Sequence, residues 1–304
     1  MTSVLLFGAN GFVGRHVHAA LAGEHDVVSP RRADCDLLTA TVGELGALIG
    51  AHRPVAVVNC TGLLSGTDHD MVAAHTLVTA KLVEAVAAAA PQARLIRLGS
   101  AGEYGIVPDG IAVPETWPGA PVSAYGLSHL AATRLMELAV AANRLDGVVL
   151  RVFNPIGAGL SRDNVLGRAV RLLRAGLAHA APEIALGPLG AYRDFVDVRD
   201  VARAVATVVA APKTPHPVLN VGTGRAVQVR TVIRELAAAA GFTGGIAEAA
   251  PAEDSRRSAG VTWMCADISQ ARRLGWSPAY EVTDTVKAIW AEASDLDRTA
   301  LPKE

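Results

Sequence analysis

Three glycines spaced by three residues, Gly8, Gly11 and Gly14, follow directly on the apolar run Val4-Leu5-Leu6-Phe7, an arrangement suited to holding a diphosphate. The first permits a sharp bend, the second leaves the backbone bare enough for phosphate oxygens to approach, and the third lets the next helix pack closely on the strand. Unpaired N–H groups at Asn10, Gly11, Phe12 and Val13 then face the anion at the positive end of the helix dipole. A dinucleotide is the expected ligand. About 20 residues beyond such a turn an acidic side chain ordinarily takes the ribose hydroxyls, whereas this chain carries Ser29-Pro30-Arg31-Arg32. Two guanidiniums can pair a 2′-phosphate that a carboxylate would repel, so NADP(H) is expected in preference to NAD(H). Asp36 and Leu37 border the adenine in this reading, with the carboxylate accepting from the exocyclic amine.

Particular elements must position these groups. The apolar run at 4–7 reads as a strand, 12–21 as a helix, and 25–29 as a short strand ending at Ser29. After a helix at 42–51, Pro54-Val55-Ala56-Val57-Val58-Asn59-Cys60 is a continuous apolar strand closed by Thr61-Gly62, which suits a parallel strand buried on both faces. Cys60, Thr61 and Gly62 thus stand at the carboxyl end of a strand, where open α/β sheets line their ligand crevice. A helix at 71–90 follows, stopped by Pro91; its lone His75 reads as structural or solvated. The strand 94–99 delivers Ser100, and Ser123-Ala124-Tyr125-Gly126-Leu127-Ser128-His129 opens a helix to about 143. Further strands at 147–153 and 218–221 alternate with helices ending near 176 and spanning 231–240. Asp197 and Asp200 open another helix, where carboxylates suit the dipole. Alternation of this kind predicts an α/β fold with a doubly wound parallel sheet.

Composition sets the outer limits. With 304 residues, 51% hydrophobic and 19% charged, the chain can bury a large core as one big α/β domain or two unequal ones. A net charge of −1 without a basic tract argues against a nucleic-acid partner. No apolar run approaches about 18 to 20 residues and the start lacks a signal peptide, so no membrane association and a cytoplasmic location are expected. The cysteines, Cys35, Cys60 and Cys265, are isolated, which predicts neither disulfide nor metal site.

The glycine turn, Ser100 and the helix at Tyr125 together resemble the extended branch of the short-chain dehydrogenase/reductase superfamily, the NAD(P)-dependent epimerase/dehydratase family. The likeness extends to Arg151-Val152-Phe153-Asn154-Pro155-Ile156-Gly157, to Ala191-Tyr192-Arg193-Asp194-Phe195-Val196-Asp197-Val198-Arg199-Asp200, and to the ending from Asp267 to Pro278. It implies that Ser100 and Tyr125 carry the proton chemistry. Ser100 would polarise a carbonyl and Tyr125 would hand over its proton as hydride reaches carbon. His129 stands where the family has a lysine that holds the nicotinamide ribose and lowers the pKa of the tyrosine. An imidazole can bond the ribose, but it is cationic only near or below about 6.5. If it supplies charge, activity should fall as pH rises through that value; if it is neutral, it can only hold a hydroxyl. By the same resemblance Asn154 would donate to a substrate diphosphate, with Asn164, Arg193 and either Arg256 or Arg257 completing the substrate site.

Relatives that eliminate water carry acidic residues just after the catalytic Ser or Thr. Here those positions are Ala101 and Gly102, and Glu103, one residue further, would turn to the other face of a strand-like segment. A dehydratase is therefore disfavoured. Within the family the pattern looks most like the GDP-4-keto-6-deoxymannose reductases, implying an NADPH-dependent ketoreductase of a nucleotide-linked keto sugar. The alternatives are a reductase of another carbonyl metabolite such as a natural-product ketone, a nucleotide-sugar epimerase, and a non-catalytic cofactor-sensing protein. A dinucleotide-binding domain is expected over 1–155, with a returning segment near 194–222, and a substrate lobe mainly over 156–304. Relatives often dimerise by pairing the helices that here are 71–90 and 124–143, so a homodimer is the implied assembly.

Overall fold

The computed structural model describes residues 1–161, 164–248 and 260–300, with side chains described as far as 293. Its first half alternates β1 (Thr2–Phe7), α1 (Phe12–Leu21), β2 (His25–Val28), α2 (Val42–His52) and β3 (Ala56–Asn59). Next come α3 (Asp68–Met71), a π-helical turn (Val72–Leu77) and α4 (Val78–Ala89), then β4 (Arg94–Ser100), a 3₁₀ turn (Ala101–Glu103) and β5 (Ala112–Val113). The middle holds α5 (Ala124–Ala141), β6 (Asp146–Val152), β7 (Pro155–Ile156), α6 (Val165–Ala178), β8 (Glu183–Leu186), β9 (Tyr192–Asp194) and β10 (Val196–Asp197). The chain ends with α7 (Val198–Ala210), β11 (Val218–Val221), β12 (Ala226–Gln228), α8 (Val229–Ala239), β13 (Gly245–Glu248), β14 (Trp263–Ala266), α9 (Ser269–Arg273) and α10 (Val282–Ala300).

Six strands form one parallel sheet in the order β11-β6-β4-β3-β1-β2. The chain runs outward from β1 to β2 and then crosses to the other side of β1 for β3. That reversal opens a crevice at the carboxyl ends of β1 and β3, the place where doubly wound sheets bind ligands. Both faces are covered: Val17 and Leu21 of α1 join Val201 and Val205 of α7 on one, while Leu45 of α2, Leu82 of α4 and Met136 of α5 cover the other. Local chemistry fixes several helix starts. Thr41 and Glu44 make a reciprocal capping box on α2, Ser123 caps α5 through the Gly126 N–H, and Asp197 caps α7.

The helix expected at 71–90 is instead a continuous rod from 68 to 89 with a π-helical turn in its middle. By length and composition it could cross a bilayer, contrary to the sequence expectation, but half of it is buried in the protein against α2 and α5. A third apolar cluster, including Ile156, Leu173, Leu186, Phe195, Ile233 and Ile289, builds a smaller lobe. The chain comes back to the sheet through α7, which packs on it, and β11, which pairs with β6. Met264, Ala266 and Trp276 also pack with the sheet rather than with the lobe. Asp200, fully buried, ties this tail down: its carboxylate accepts from the Ala279 and Tyr280 N–H groups, and its carbonyl takes the Trp276 indole N–H.

Candidate active site

The head of β1 makes the first wall. Gly8 has φ of 82°, and a Cβ there would lie 2.9 Å from the Cys60 carbonyl carbon, because the turn passes directly over the end of β3. A Cβ on Gly14 would come within 1.9 Å of the Gly8 carbonyl oxygen, so α1 reaches the turn only without a side chain. Gly11 caps α1 with no side-chain hydrogen bond, and the first turn holds no acidic residue. The N–H groups of Phe12 and Val13 are thus open to an anion. Asn10 is exposed beside them, but the Gly11 N–H, expected to be unpaired, donates to the Gly8 carbonyl at 2.9 Å and closes the turn instead. At the end of β2 the Ser29 hydroxyl is buried without a hydrogen-bond partner, an orphan that a ribose or phosphate oxygen would satisfy. This wall fits a dinucleotide diphosphate.

The arginines beyond β2 are not free cations. Arg31 makes a two-point pair with Asp34 at 3.1 and 3.3 Å, and Arg32 bonds Asp36 at 3.0 Å. Both are about three-quarters exposed, at 73% and 76%, so water screens these pairs and a 2′-phosphate could compete for the guanidiniums. Asp36 and Leu37, expected to border the adenine, are placed as follows. Asp36 has one oxygen on Arg32 and the other on the Leu38 N–H, and the Leu37 side chain is buried in the core under the sheet. Lys81, which the sequence did not single out, clamps the loop by donating to the carbonyls of Leu37, Leu38 and Ala40.

From β3 the site continues without a break. Asn59 Oδ1 accepts from the Thr61 N–H and hydroxyl at 3.0 and 2.6 Å, and burial pushes the Cys60 thiol up to about 12, which keeps it protonated and inert. Beside Gly62, His75 Nε2 accepts from the Leu63 N–H at 3.1 Å while Nδ1 bonds Ser128 Oγ at 2.9 Å. Its ring stands edge-on to Tyr125 at 5.5 Å and lies 4.0 Å from that of His129. Burial is the largest cause holding His75 down to about 4.

Ser100 and Tyr125 do come together, on either side of Gly102. A Cβ added there would touch Ser100 Oγ at 3.4 Å and the Tyr125 ring at 3.5 Å. Ser100 Oγ accepts from the Gly102 N–H at 3.1 Å, which fixes its direction and leaves its proton available. Glu103 does turn away from the cleft, as expected, but through a 3₁₀ turn rather than strand alternation. Its carboxylate takes the Ser100 N–H at 3.0 Å and Arg151 Nε at 2.7 Å, fully buried. No carboxylate remains at this turn to act as a base.

His129 is the main correction to the catalytic reading. It is 6% exposed, with its ring 4.6 Å from that of Tyr125, and its Nδ1 lies 2.9 Å from an Arg97 terminal nitrogen. A guanidinium only donates, so Nδ1 accepts and the proton sits on Nε2. Burial first, then the charge of Arg97, drives the imidazole well below its ordinary value. Burial and the Arg97 donor at Nδ1 thus both favour the neutral imidazole. Arg97 itself was overlooked in the sequence; the signal was an arginine inside the apolar run Leu95-Ile96-Arg97-Leu98.

On the expected substrate side, Asn154 sits just past Val152, the residue paired with Ser100. One of its amide hydrogens is committed to the Asp194 carbonyl at 3.0 Å, and its φ of 29° marks a turn that this bond secures. Asn164 caps α6 through the Leu166 and Gly167 N–H groups, so its acceptor oxygen is structural rather than directed at substrate. Arg193, half-buried on β9, donates to the carbonyls of Tyr192 and Val261 at 2.8 Å. Among the described residues it has no carboxylate partner, which leaves its charge for an anion. Arg256 and Arg257 lie outside the described residues.

Comparison with known proteins bears on this geometry. Residues 4–222 match the NAD dependent epimerase/dehydratase family. The chain is 38% identical to a dTDP-6-deoxy-L-talose 4-dehydrogenase (NAD(P)(+)) of Kitasatospora kifunensis, over 96% of this chain and 95% of that protein. It is 27% identical to the GDP-6-deoxy-D-mannose reductase of Pseudomonas aeruginosa, over 94% and 95% of the two chains. The fold matches the structure of RMD from Pseudomonas aeruginosa complexed with NADPH, with a TM-score of 0.85 at 24% identity over 97% of this chain and 100% of that one. On this evidence the chain belongs to the NAD dependent epimerase/dehydratase family, the extended short-chain dehydrogenase/reductases, NAD(P)-dependent oxidoreductases and epimerases that act on nucleotide sugars.

Proposed function

We propose that the protein is an NADPH-dependent ketoreductase that converts the 4-keto group of a nucleotide-linked 6-deoxy sugar to a hydroxyl. The observation that carries this reading is the pairing of Ser100 and Tyr125 across Gly102 while Glu103 is locked onto Arg151. Among the described residues, the cleft at the turn after Ser100 therefore offers a proton donor and a carbonyl-polarising hydroxyl but no carboxylate free to act as a base for elimination. Ser100 donates to the carbonyl oxygen and concentrates charge there, and Tyr125 passes its phenolic proton to the same oxygen as it becomes an alkoxide. A bound reduced nicotinamide supplies the hydride. Arg193 neutralises part of the substrate diphosphate, and the second amide hydrogen of Asn154 is a further donor toward it. The two most similar proteins named above carry a 6-deoxy sugar on a nucleoside diphosphate in their names, together with a dehydrogenase or a reductase activity. Arg31 and Arg32 support the preference for NADPH.

The test is incubation with dTDP- and GDP-linked 4-keto-6-deoxyhexoses and each reduced cofactor, following nicotinamide absorbance and the sugar product. Stoichiometric consumption of NADPH with formation of the 6-deoxy sugar is expected. Interconversion of 4-epimers without net consumption, with a nicotinamide retained through turnover, would replace this reading by an epimerase.

A further inference from the structure

Arg97 lies in the middle of β4, 3% exposed. A guanidinium stays charged when buried, and burying it without a counter-ion is costly, so its surroundings should reveal what it serves. Nε donates to Thr79 Oγ1 at 3.0 Å and one terminal nitrogen to His129 Nδ1 at 2.9 Å. The other terminal nitrogen is buried without any partner. The buried carboxylate in this region, Glu103, has its oxygens on Arg151 and the Ser100 N–H. Arg97 is therefore left without a directly bonded carboxylate, Glu103 acting on its charge only at a distance, and the His129 ring touches both Arg97 and Tyr125.

The other groups facing this cluster do not supply that charge. His75 from the π-helical turn and His129 from α5 are both held neutral by burial. Arg151 from β6 is paired with Glu103 from the 3₁₀ turn, and Thr79 from α4 is uncharged. Burial holds the Arg97 guanidinium below its ordinary value, while the charges of Glu103 and then of an ionised Tyr125 favour its charged form.

We infer that Arg97 is a positioning residue for proton transfer: its fixed charge stabilises the Tyr125 phenolate, and its bond to His129 Nδ1 keeps that imidazole in the Nε2–H form. The inference rests on the proposed role of Tyr125 as proton donor. In reduction the phenol gives its proton to the substrate oxygen, and the phenolate left behind faces Arg97. In the reverse direction the same charge favours the phenolate that removes the proton.

Direct titration of the phenol tests this without any substrate. Wild type and Tyr125→Phe, labelled with ¹³C at the tyrosine ring carbon bearing oxygen, identify the Tyr125 resonance by difference. It should titrate below the ordinary tyrosine value of about 10. In Arg97→Met, and in Arg97→Gln, which is neutral but can still donate to His129, it should move up by about one to two pH units. Arg97→Lys, which keeps the charge, should restore most of the wild-type value. A wild-type resonance at or above about 10, or a folded neutral variant titrating with wild type, would overturn the inference. A shift as expected in an enzyme that leaves 4-keto sugars untouched would instead sink the substrate reading and leave Arg97 in place.

Discussion

Tyr125→Phe removes the phenolic oxygen and leaves the ring that packs against His75 and His129, so it separates proton transfer from packing. Its kcat should fall by about 10²- to 10⁴-fold with an unchanged melting temperature, as expected when a positioned acid is lost. Steady-state kinetics beside a thermal melt decides it; a small loss in kcat would transfer the role to another donor. Cofactor choice is also a residue-scale question. Arg31 and Arg32 are held only by exposed pairs with Asp34 and Asp36, which water screens. A 2′-phosphate, with two charges and several acceptor oxygens, would compete with these carboxylates for the guanidiniums. The double substitution Arg31→Ala, Arg32→Ala should weaken NADPH more than tenfold and leave NADH nearly unchanged in fluorescence titrations. Equal wild-type affinity for the two cofactors would refute the preference.

At the scale of elements, α1 is held to the β1 turn by the absence of a side chain at one place. Gly14→Ala puts a methyl 1.9 Å from the Gly8 carbonyl oxygen, and backbone cannot yield there as a flexible side chain could. The helix must shift off the turn, which should cost several degrees of melting temperature and more than tenfold in cofactor affinity. Gly23→Ala, with nothing within 4 Å of the new methyl, is the control and should change neither. Calorimetry with and without cofactor measures both, and a Gly14→Ala protein that binds normally would show that helix position does not set the diphosphate site. The π-helical turn at Val72–Leu77 belongs to the same scale. It places the His75 ring against Tyr125 while Nε2 still reaches the Leu63 N–H, and such turns occur frequently at functional sites.

For the molecule as a whole, the buried imidazoles couple folding to pH. His75 is held at about 4 and His129 well below its ordinary value, so below about 6.5 the unfolded chain takes up protons that the folded chain refuses. For His75 the stabilising contribution is complete above that value and is lost as pH falls toward about 4; His129 acts in the same direction. Melting temperatures measured downward from about pH 7 should fall, and His75→Asn should flatten the slope; parallel slopes would disprove the coupling. Assembly is the second question at this scale. Leu77, Leu127 and Leu138 are 54%, 57% and 68% exposed on adjacent helices, the π-helical turn and α5. A homodimer formed over these helices should become monomeric in sedimentation when Leu127 and Leu138 are replaced by Glu, with secondary structure unchanged.

The doubly wound sheet and the dinucleotide crevice were legible in the sequence because they depend on local patterns. Apolar runs of strand length, the spacing of Gly8, Gly11 and Gly14, and capping residues such as Ser123 and Asp197 act within a few positions of themselves. Ser100 and Tyr125 were singled out through the family resemblance, and only their places at a strand end and a helix start could be read from local pattern. Only the tertiary structure decided what surrounds them. Whether His129 carries a charge depends on its burial and on Arg97, which lies 32 residues away in sequence. Likewise Glu103 is removed from the cleft by Arg151, 48 residues on, and Asn164 is taken up by a helix cap. Ionisation and hydrogen-bond commitment are set by desolvation and by partners brought together across the fold, and no spacing within one stretch of chain encodes them.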